Sequence, residues 1–144
     1  RLNRGGITDM SLETIGDGIK TRLQTISGLQ VFAPKELPDS VNQFPAALIL
    51  PGETLYDTTF GDDSDYRFRI IVLSAKQDSP SALNRLLDYI EVTGTYSIKA
   101  AIEADSTLNG SADDARVSRN LGIGVTVWGG YNYLSTEFIL EVWK

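Results

Sequence analysis

The C-terminal stretch decides the fold class: Ile123-Gly-Val-Thr-Val-Trp128, then Gly129-Gly130, then Tyr131-Asn-Tyr-Leu-Ser-Thr-Glu-Phe-Ile-Leu-Glu-Val-Trp143. Two runs rich in β-branched and aromatic residues flank a Gly-Gly pair, a pattern typical of a two-residue β-hairpin turn. Successive side chains of a strand point to opposite faces. Every second residue from Leu134 to Val142 therefore lies on one face, namely Leu134, Thr136, Phe138, Leu140 and Val142. The end of the chain predicts an antiparallel hairpin.

Two further strands are predicted in the middle of the chain. The continuously apolar run Ala46 to Leu50 is typical of a buried strand, and Tyr66 to Leu73 alternates apolar and charged residues at its start. Residues 51 to 65 lie between these strands and are expected to extend both into a hairpin with its tip near Gly61 to Ser64. Shorter strands are predicted at Leu29 to Ala33 and Ala115 to Leu121.

An amphipathic helix is predicted near the start of the chain, because apolar residues recur there at three- and four-residue steps. Ser11 is expected to cap it, and Gly28 is expected to follow its end in a left-handed conformation. Gly16 and Gly18 lie inside it, either because a neighbouring backbone packs closely or because the helix tolerates them. The periodic apolar residues are Leu12, Ile15, Ile19, Leu23 and Ile26.

Two more helices are predicted between the strands. Ser79-Pro80 provides an N-cap followed by a proline at the first helical position, and a shorter helix is expected from Ile98 towards Leu108. The pattern predicts an α+β fold: a mostly antiparallel sheet of four to five strands with two or three helices packed on one face.

Composition narrows the classes of function. The chain has 144 residues, 42% hydrophobic and 22% charged, which indicates one folded domain. Its formal net charge of -6 disfavours contact with phosphate backbones, so sequence-specific nucleic-acid binding is not expected. No apolar run approaches the ~20 residues that cross a bilayer, so no membrane contact is expected. The chain has no cysteine, which removes disulfides, thiolate nucleophiles and Cys-based zinc sites.

The first residues do not resemble a signal peptide, because they lack an apolar core. Met10, the single methionine, directly precedes the helix pattern and is expected to be the native start. Residues 1–9 are then an extension or a cloning remnant, and residues 10–144 form the single domain.

The densest carboxylate cluster, Gly61-Asp62-Asp63-Ser64-Asp65, has the hard oxygen ligands that calcium prefers. It lacks the further ligands and the terminal Glu of an EF-hand loop, so a solvated turn is favoured over a metal site. No cofactor and no metal are expected.

Catalytic motifs are likewise weak. Gly122-x-Gly124 lies between strand candidates, so its glycines fit a bend or bulge better than a dinucleotide loop. The pairs Ser97 and Lys99 and Ser74 and Lys76 lack the spacing of the helical Ser-x-x-Lys motif. The 19 acidic residues could supply a hydrolase with two facing carboxylates, but nothing in the sequence selects a pair. The protein is expected not to be an enzyme.

Read together, several motifs resemble those of the tail terminator proteins of long-tailed bacteriophages, of the actinobacterial-phage type. The resemblance spans nearly the whole chain after Met10, and it rests on the order of the motifs rather than on any single one. The motifs include Ile15-Gly-Asp-Gly-Ile-Lys-Thr-Arg-Leu, Leu37-Pro-Asp-Ser-Val41, Tyr56-Asp57-x-x-Phe60-Gly61, Ser97-Ile-Lys-Ala-Ala-Ile-Glu-Ala-Asp105, Asp113-Asp-Ala-Arg-Val117 and Gly130-Tyr-Asn-Tyr-Leu134.

The resemblance implies a structural virion protein, expected to form a homohexameric ring that caps the head-proximal end of the tail tube. Its partners would be other copies of itself, the major tail tube protein and a neck or head-completion protein, with DNA passing through the ring. It would assemble in the host cytoplasm. A neck connector or stopper is the nearest alternative, and a carboxylate-dependent hydrolase is the alternative from another class.

Aromatic residues are enriched at interface cores, and for the aromatic set core packing and interface use are equally open. The two hairpins are the candidate contact regions. The candidate interface residues are Tyr56, Asp57, Phe60, Asp62, Asp63, Asp65, Trp128, Tyr131, Tyr133 and Trp143.

Overall fold

The computed structural model describes residues 12–56, 64–76 and 80–143. They form an α+β fold of five strands and three helices. The strands are β1 (Gln30–Phe32), β2 (Ala46–Tyr56), β3 (Ser64–Lys76), β4 (Asp114–Trp128) and β5 (Tyr131–Trp143), and the helices are α1 (Leu12–Leu23), α2 (Pro80–Ile90) and α3 (Ile98–Glu103).

The strands form one mixed sheet in the order β1-β2-β3-β5-β4. β1 runs parallel to β2, and every other neighbouring pair is antiparallel. The predicted mostly antiparallel sheet with helices on one face is therefore confirmed. β1 and β4 are the two edge strands, and they run in opposite directions.

The helices cover one face of the sheet, which we call the helix face. α1 packs over β1 and β2, α3 over β4, and α2 over β3 and β5. The apolar residues of this face are fully buried because the strand alternation turns them towards the helices; they include Ala47, Ile49, Phe68, Ile70, Val72, Phe138, Leu140 and Val142. The alternation predicted for the C-terminal strand is thus confirmed.

A second, smaller core lies on the opposite face, which we call the outer face. There Leu48, Leu73 and Tyr133 are buried under the segment between β1 and β2. That segment begins with a 3-10 helix at Pro34–Glu36 and contains a cis peptide bond between Phe44 and Pro45. One end of the outer face is therefore covered by this segment, which contains no α-helix.

The two glycines inside α1 allow close packing. A Cβ on Gly16 would lie 2.6 Å from Cδ of Pro34, and one on Gly18 would lie 2.3 Å from the backbone oxygen of Leu108. Of the two interpretations left open by the sequence, the structure favours close approach. Gly28, as predicted, has a positive φ of 79°; the predicted cap Ser11 lies outside the described residues.

The third helix is shorter than predicted. It ends at Glu103, and Leu108 lies in the following turn with a φ of 51°. Asp105 stabilises this turn, because its carboxylate accepts hydrogen bonds from the Thr107 hydroxyl and from the backbone N–H of Asn109. Leu108 is still fully buried. The apolar spacing therefore predicted its burial correctly, although the chain leaves the helix before this residue.

The two strands predicted on either side of Gly122 are one strand, β4. Its pairing with β5 shifts register between Val117 and Arg119 and again between Asn120 and Ile123. Gly122 has a φ of 91°, which glycine adopts without steric cost. The predicted bulge is confirmed, and the predicted interruption of the strand is wrong, because a bulge kinks a strand without ending it.

Candidate assembly surfaces

The candidate interface residues that the structure describes separate into two groups at opposite ends of the sheet. Asp65 pairs with Trp143 at the end where β2 and β3 approach their connecting segment. Trp128, Tyr131 and Tyr133 lie at the other end, around the β4–β5 turn. β5 has 13 residues, which at 3.3 Å per residue places the two groups roughly 40 Å apart.

At the first end, Trp143 lies between Asp65 of β3 and Asp114 of β4. The guanidinium of Arg116 lies 5.7 Å from the ring centroid of Trp143, which is within range for a cation–π contact. Trp143 is half-buried, so its indole packs along the sheet while part of it stays accessible.

The rest of that predicted group is only partly described. Tyr56 is the last residue of β2 and pairs with Ser64, so both predicted strands extend into the 51–65 segment. Asp57, Phe60, Asp62 and Asp63 lie outside the described residues.

Tyr133 is fully buried, so its prediction as a surface contact is wrong. The backbone N–H of Val41 donates to its hydroxyl, which in turn donates to the Val41 carbonyl, each over 3.3 Å. Its ring centroid lies 5.7 Å from that of Phe44. The alternation placed Tyr133 on the correct face, but the loop that covers this face was not visible in the strand pattern.

Trp128 anchors the β4–β5 turn to the same loop. Its indole N–H donates to the Pro38 carbonyl oxygen over 2.8 Å. At Gly129 a Cβ would lie 1.9 Å from the Asp39 carbonyl oxygen, so only glycine fits there. Tyr131, by contrast, is 51% exposed and remains an accessible aromatic at this turn.

Away from the loop, charged side chains occupy the outer face. Arg69 donates to Glu137 through Nε at 2.6 Å and Nη2 at 3.2 Å, a bidentate pair that raises the pKa of Arg69. Arg67 pairs with Glu53 over 2.9 Å. Because these pairs are exposed to water, each contributes no more than about 1 kcal/mol.

The edge strand β4 differs along its length. α3 packs against β4 and bonds to Val117 within residues 114–120, which we call the covered half. There Glu103 Oε2 accepts the backbone N–H of Val117 at 3.1 Å, and Lys99 Nζ donates to the Val117 carbonyl oxygen at 3.3 Å. Lys99 and Glu103 also pair with each other over 2.6 Å. Side chains of α3 thus occupy the N–H and C=O of Val117, which could otherwise pair with another strand.

Residues 121–128, the open half, have no such cover. Val125 is 52% and Val127 68% exposed, and no charged residue occurs in the segment. Within the described residues, no hydrogen bond outside the β4–β5 pairing involves Ile123, Val125 or Val127. This surface is absent from the candidate residues chosen from the sequence. The sequence feature that could have indicated it is the alternation of Val125 and Val127 in a segment without charged residues.

A cavity of about 410 Å³ lies between α2 and the turn after α1. Its wall includes Arg85, Asp88 and an edge-to-face pair of Tyr89 and Tyr96, with ring centroids 6.2 Å apart. Burial raises the pKa of the Tyr89 hydroxyl. Among the lining residues that the structure describes, Asp88 is the one carboxylate.

Across residues 12–56, 64–76 and 80–143, no three acidic side chains gather as a metal-binding group. No helix among these residues is long and apolar enough to cross a membrane. No protein-family model matches the chain, and no curated protein matches it significantly in sequence.

Proposed function

We propose that this protein is a ring-forming virion subunit that caps the head-proximal end of a phage tail tube. In this role it ends tube polymerisation and presents the surface to which the head joins. The sequence supports the proposal through motifs that resemble tail terminator proteins in order along nearly the whole chain. The proposal includes a homohexameric ring with the tube protein on one side and a neck protein on the other.

The open half of β4 is the structural observation that carries the proposal. It places an apolar, uncharged edge on a chain with a net charge of -6. Exposed apolar surface next to an unpaired strand edge favours association with another protein chain. An assembly subunit needs such a surface, while a monomeric hydrolase gains nothing from it.

A ring requires a heterologous interface, in which two different surfaces of each subunit meet and the rotation closes. The two edges of the sheet provide two different surfaces. The acidic charge of each copy suits a channel for DNA, because like charge prevents the phosphate backbone from adhering to the wall.

The direct test adds purified protein to polymerising tail-tube subunits and measures tube lengths by electron microscopy. We expect shorter tubes, each with the labelled protein at one end, compared with a reaction that lacks it. A neck connector would leave the length distribution unchanged and would bind portal-side proteins instead. Unchanged lengths with no end label would contradict the proposal.

A further inference from the structure

We propose that the ring subunits join edge to edge: the open half of β4 in one copy pairs with β1 of the next copy as an antiparallel extension of the sheet. This inference rests on the proposed ring and specifies its interface. Three features support this interface: the directions of the two edge strands, the register that aligns them across the sheet, and the outward orientation of their backbone groups.

The directions of the two edge strands allow them to pair as antiparallel neighbours. β1 and β4 are the outer strands and run in opposite directions. When the next copy is placed alongside in the same orientation, its β1 lies antiparallel to β4. Antiparallel pairs form perpendicular hydrogen bonds and are slightly more stable per residue than parallel ones.

The level of the two edges also matches. Val31 of β1 is level with Ala47, Val72 and Thr136 across the sheet, and Thr136 pairs with Ile123 of β4. A neighbour placed without stagger therefore brings Val31 opposite Ile123. Ile123 lies in the open half of β4, outside the part that α3 covers.

The backbone groups at these positions point outwards. The carbonyl oxygens of Gly122 and Gly124 accept hydroxyl hydrogen bonds from β5, and backbone groups alternate in direction along an antiparallel strand. The N–H and C=O of Ile123 and Val125 therefore point away from β5. On β1, the Gln30 N–H donates to Pro45, beside β2, so the Val31 groups point to the other edge.

The faces of the two strands agree as well. The side chains of Val31 and Ile123 both contact the core on the helix face, so the joined sheet keeps its helices on one side. Open grooves border β1 on both sides of its edge; their linings include Lys20 and Gln24 on one side and Ser40 and Asn42 on the other. A neighbouring strand can thus reach β1 without displacing another element.

A β4–β4 pair about a two-fold axis is the main competing arrangement. It would satisfy the same backbone groups, but it closes at two subunits and leaves both β1 edges free. The ring needs two different edges, so the proposal commits to β1 of a second copy as the occupant.

Cysteine crosslinking tests this contact, since the chain has no native cysteine. The predicted register places exposed Gln30 opposite Gly124, where an added Cβ meets nothing within 4 Å. They form a non-hydrogen-bonded pair with Cα atoms about 4.5 Å apart, which a disulfide can span. The test mixes Gln30→Cys protein with Gly124→Cys protein under mild oxidation, and a dimer containing one of each is expected as the main product.

The matched control replaces Gly124→Cys with Ser118→Cys, an exposed position in the covered half of the same strand. This mixture is expected to give no mixed dimer above background. A dimer of Gly124→Cys protein alone would overturn the proposal in favour of the two-fold pair.

Native mass spectrometry of the unmodified protein separates this inference from the proposed function. Rings without the 30–124 crosslink would overturn the edge-to-edge joint and leave the ring standing. A monomer that fails to shorten tail tubes would overturn both.

A second variant, Val125→Lys, places a charge in the contact. It is expected to abolish rings while leaving the unfolding midpoint unchanged. Val92→Lys, at an exposed position after α2, is its control and should keep the rings. Rings that persist in Val125→Lys would contradict the joint.

Discussion

The two halves of β4 belong to one edge strand, yet α3 protects the outer edge of only one of them. In the covered half, Lys99 and Glu103 of α3 occupy the outward N–H and C=O of Val117. In the open half, the strand continues past the end of the helix layer, with Val125 and Val127 exposed. Edge strands are usually protected by charges, bulges or covering elements. After the Gly122 bulge, residues 123–128 carry no charge and have exposed valines, which supports the proposed use of this part of the edge.

The halves also differ in what holds them. The covered half packs under α3 on the helix face, and Ala115 and Val117 are buried there. The open half is held from the outer face, through Tyr133 and the contacts of Trp128 and Gly129 with the loop between β1 and β2. On its helix face, Ile123 contacts the core while Val125 and Val127 stay exposed.

The largest effect is expected at Tyr133. Tyr133→Ala removes a fully buried ring and should lower the free energy of unfolding by about 3–5 kcal/mol, as for other large aromatic residues in cores. Tyr131→Ala, two positions away on the same strand and half exposed, should cost about 1 kcal/mol or less. Urea denaturation of both variants measures the difference. Equal losses would mean that the outer-face core does not hold the open half.

Gly129 is the next test, because it attaches the turn to the loop. Gly129→Ala places a Cβ 1.9 Å from the Asp39 carbonyl oxygen at a φ of 59°. Left-handed strain and the forced shift together should cost about 2–3 kcal/mol. Gly124→Ala has open space at Cβ and should change stability by about 0.5 kcal/mol or less. Thermal unfolding of the pair checks this, and a harmless Gly129→Ala would show that the turn is not anchored.

Glu103 tests the covered half. Glu103→Ala leaves the Val117 N–H without its side-chain acceptor. We expect a loss of about 1–2 kcal/mol, at the low end for hydrogen bonds to charged groups because Glu103 is partly exposed to water. Glu103→Gln keeps an acceptor and should lose less. Hydrogen exchange at the Val117 amide should speed up in Glu103→Ala. An unchanged exchange rate would show that α3 does not protect this edge.

The smallest effect concerns acid stability of the turn after α3. Hydrogen bonds from the Thr107 hydroxyl and the backbone lower the pKa of Asp105. As the pH falls, the unfolded chain binds this proton before the folded one. The stabilisation is therefore complete above the unfolded pKa of about 3.9 and is lost as the pH falls through the lower folded pKa.

Asp105→Asn should remove this pH dependence and leave that of the other carboxyl groups. Urea titrations of the wild-type and variant proteins across this pH range measure the difference between them. Parallel curves would show that the Asp105 carboxylate contributes nothing to the turn.

Much of the fold followed from local patterns. The period-two alternation of β5, the Gly-Gly turn and the apolar spacing of α1 each depend on residues close in sequence. The continuation of β4 through Gly122 could not be predicted from local patterns. In a sequence, a glycine pair looks the same at a bulge as at the end of a strand. The end of α3 at Glu103 was also missed, since side-chain bonds of Asp105 compete with the helix.

The candidate surfaces were predicted less well. Tyr131 is accessible as expected, whereas Tyr133 is buried by a loop 90 or so residues earlier in the chain, as its hydrogen bonds with Val41 show. Strand alternation assigns a side chain to a face, and it cannot tell whether that face meets solvent or another segment. Exposure depends on long-range packing.

The sequence by itself determined that this chain forms an acidic α+β domain with a C-terminal hairpin, because turn residues and apolar periodicity act over a few positions. The tertiary structure decided the order of the strands and therefore which two became edges. It also decided that α3 reaches only the first half of β4, so that the Glu103 carboxylate meets Val117 while Val125 is left exposed. That placement comes from packing of distant elements, and it locates the edge through which we propose that the subunits join.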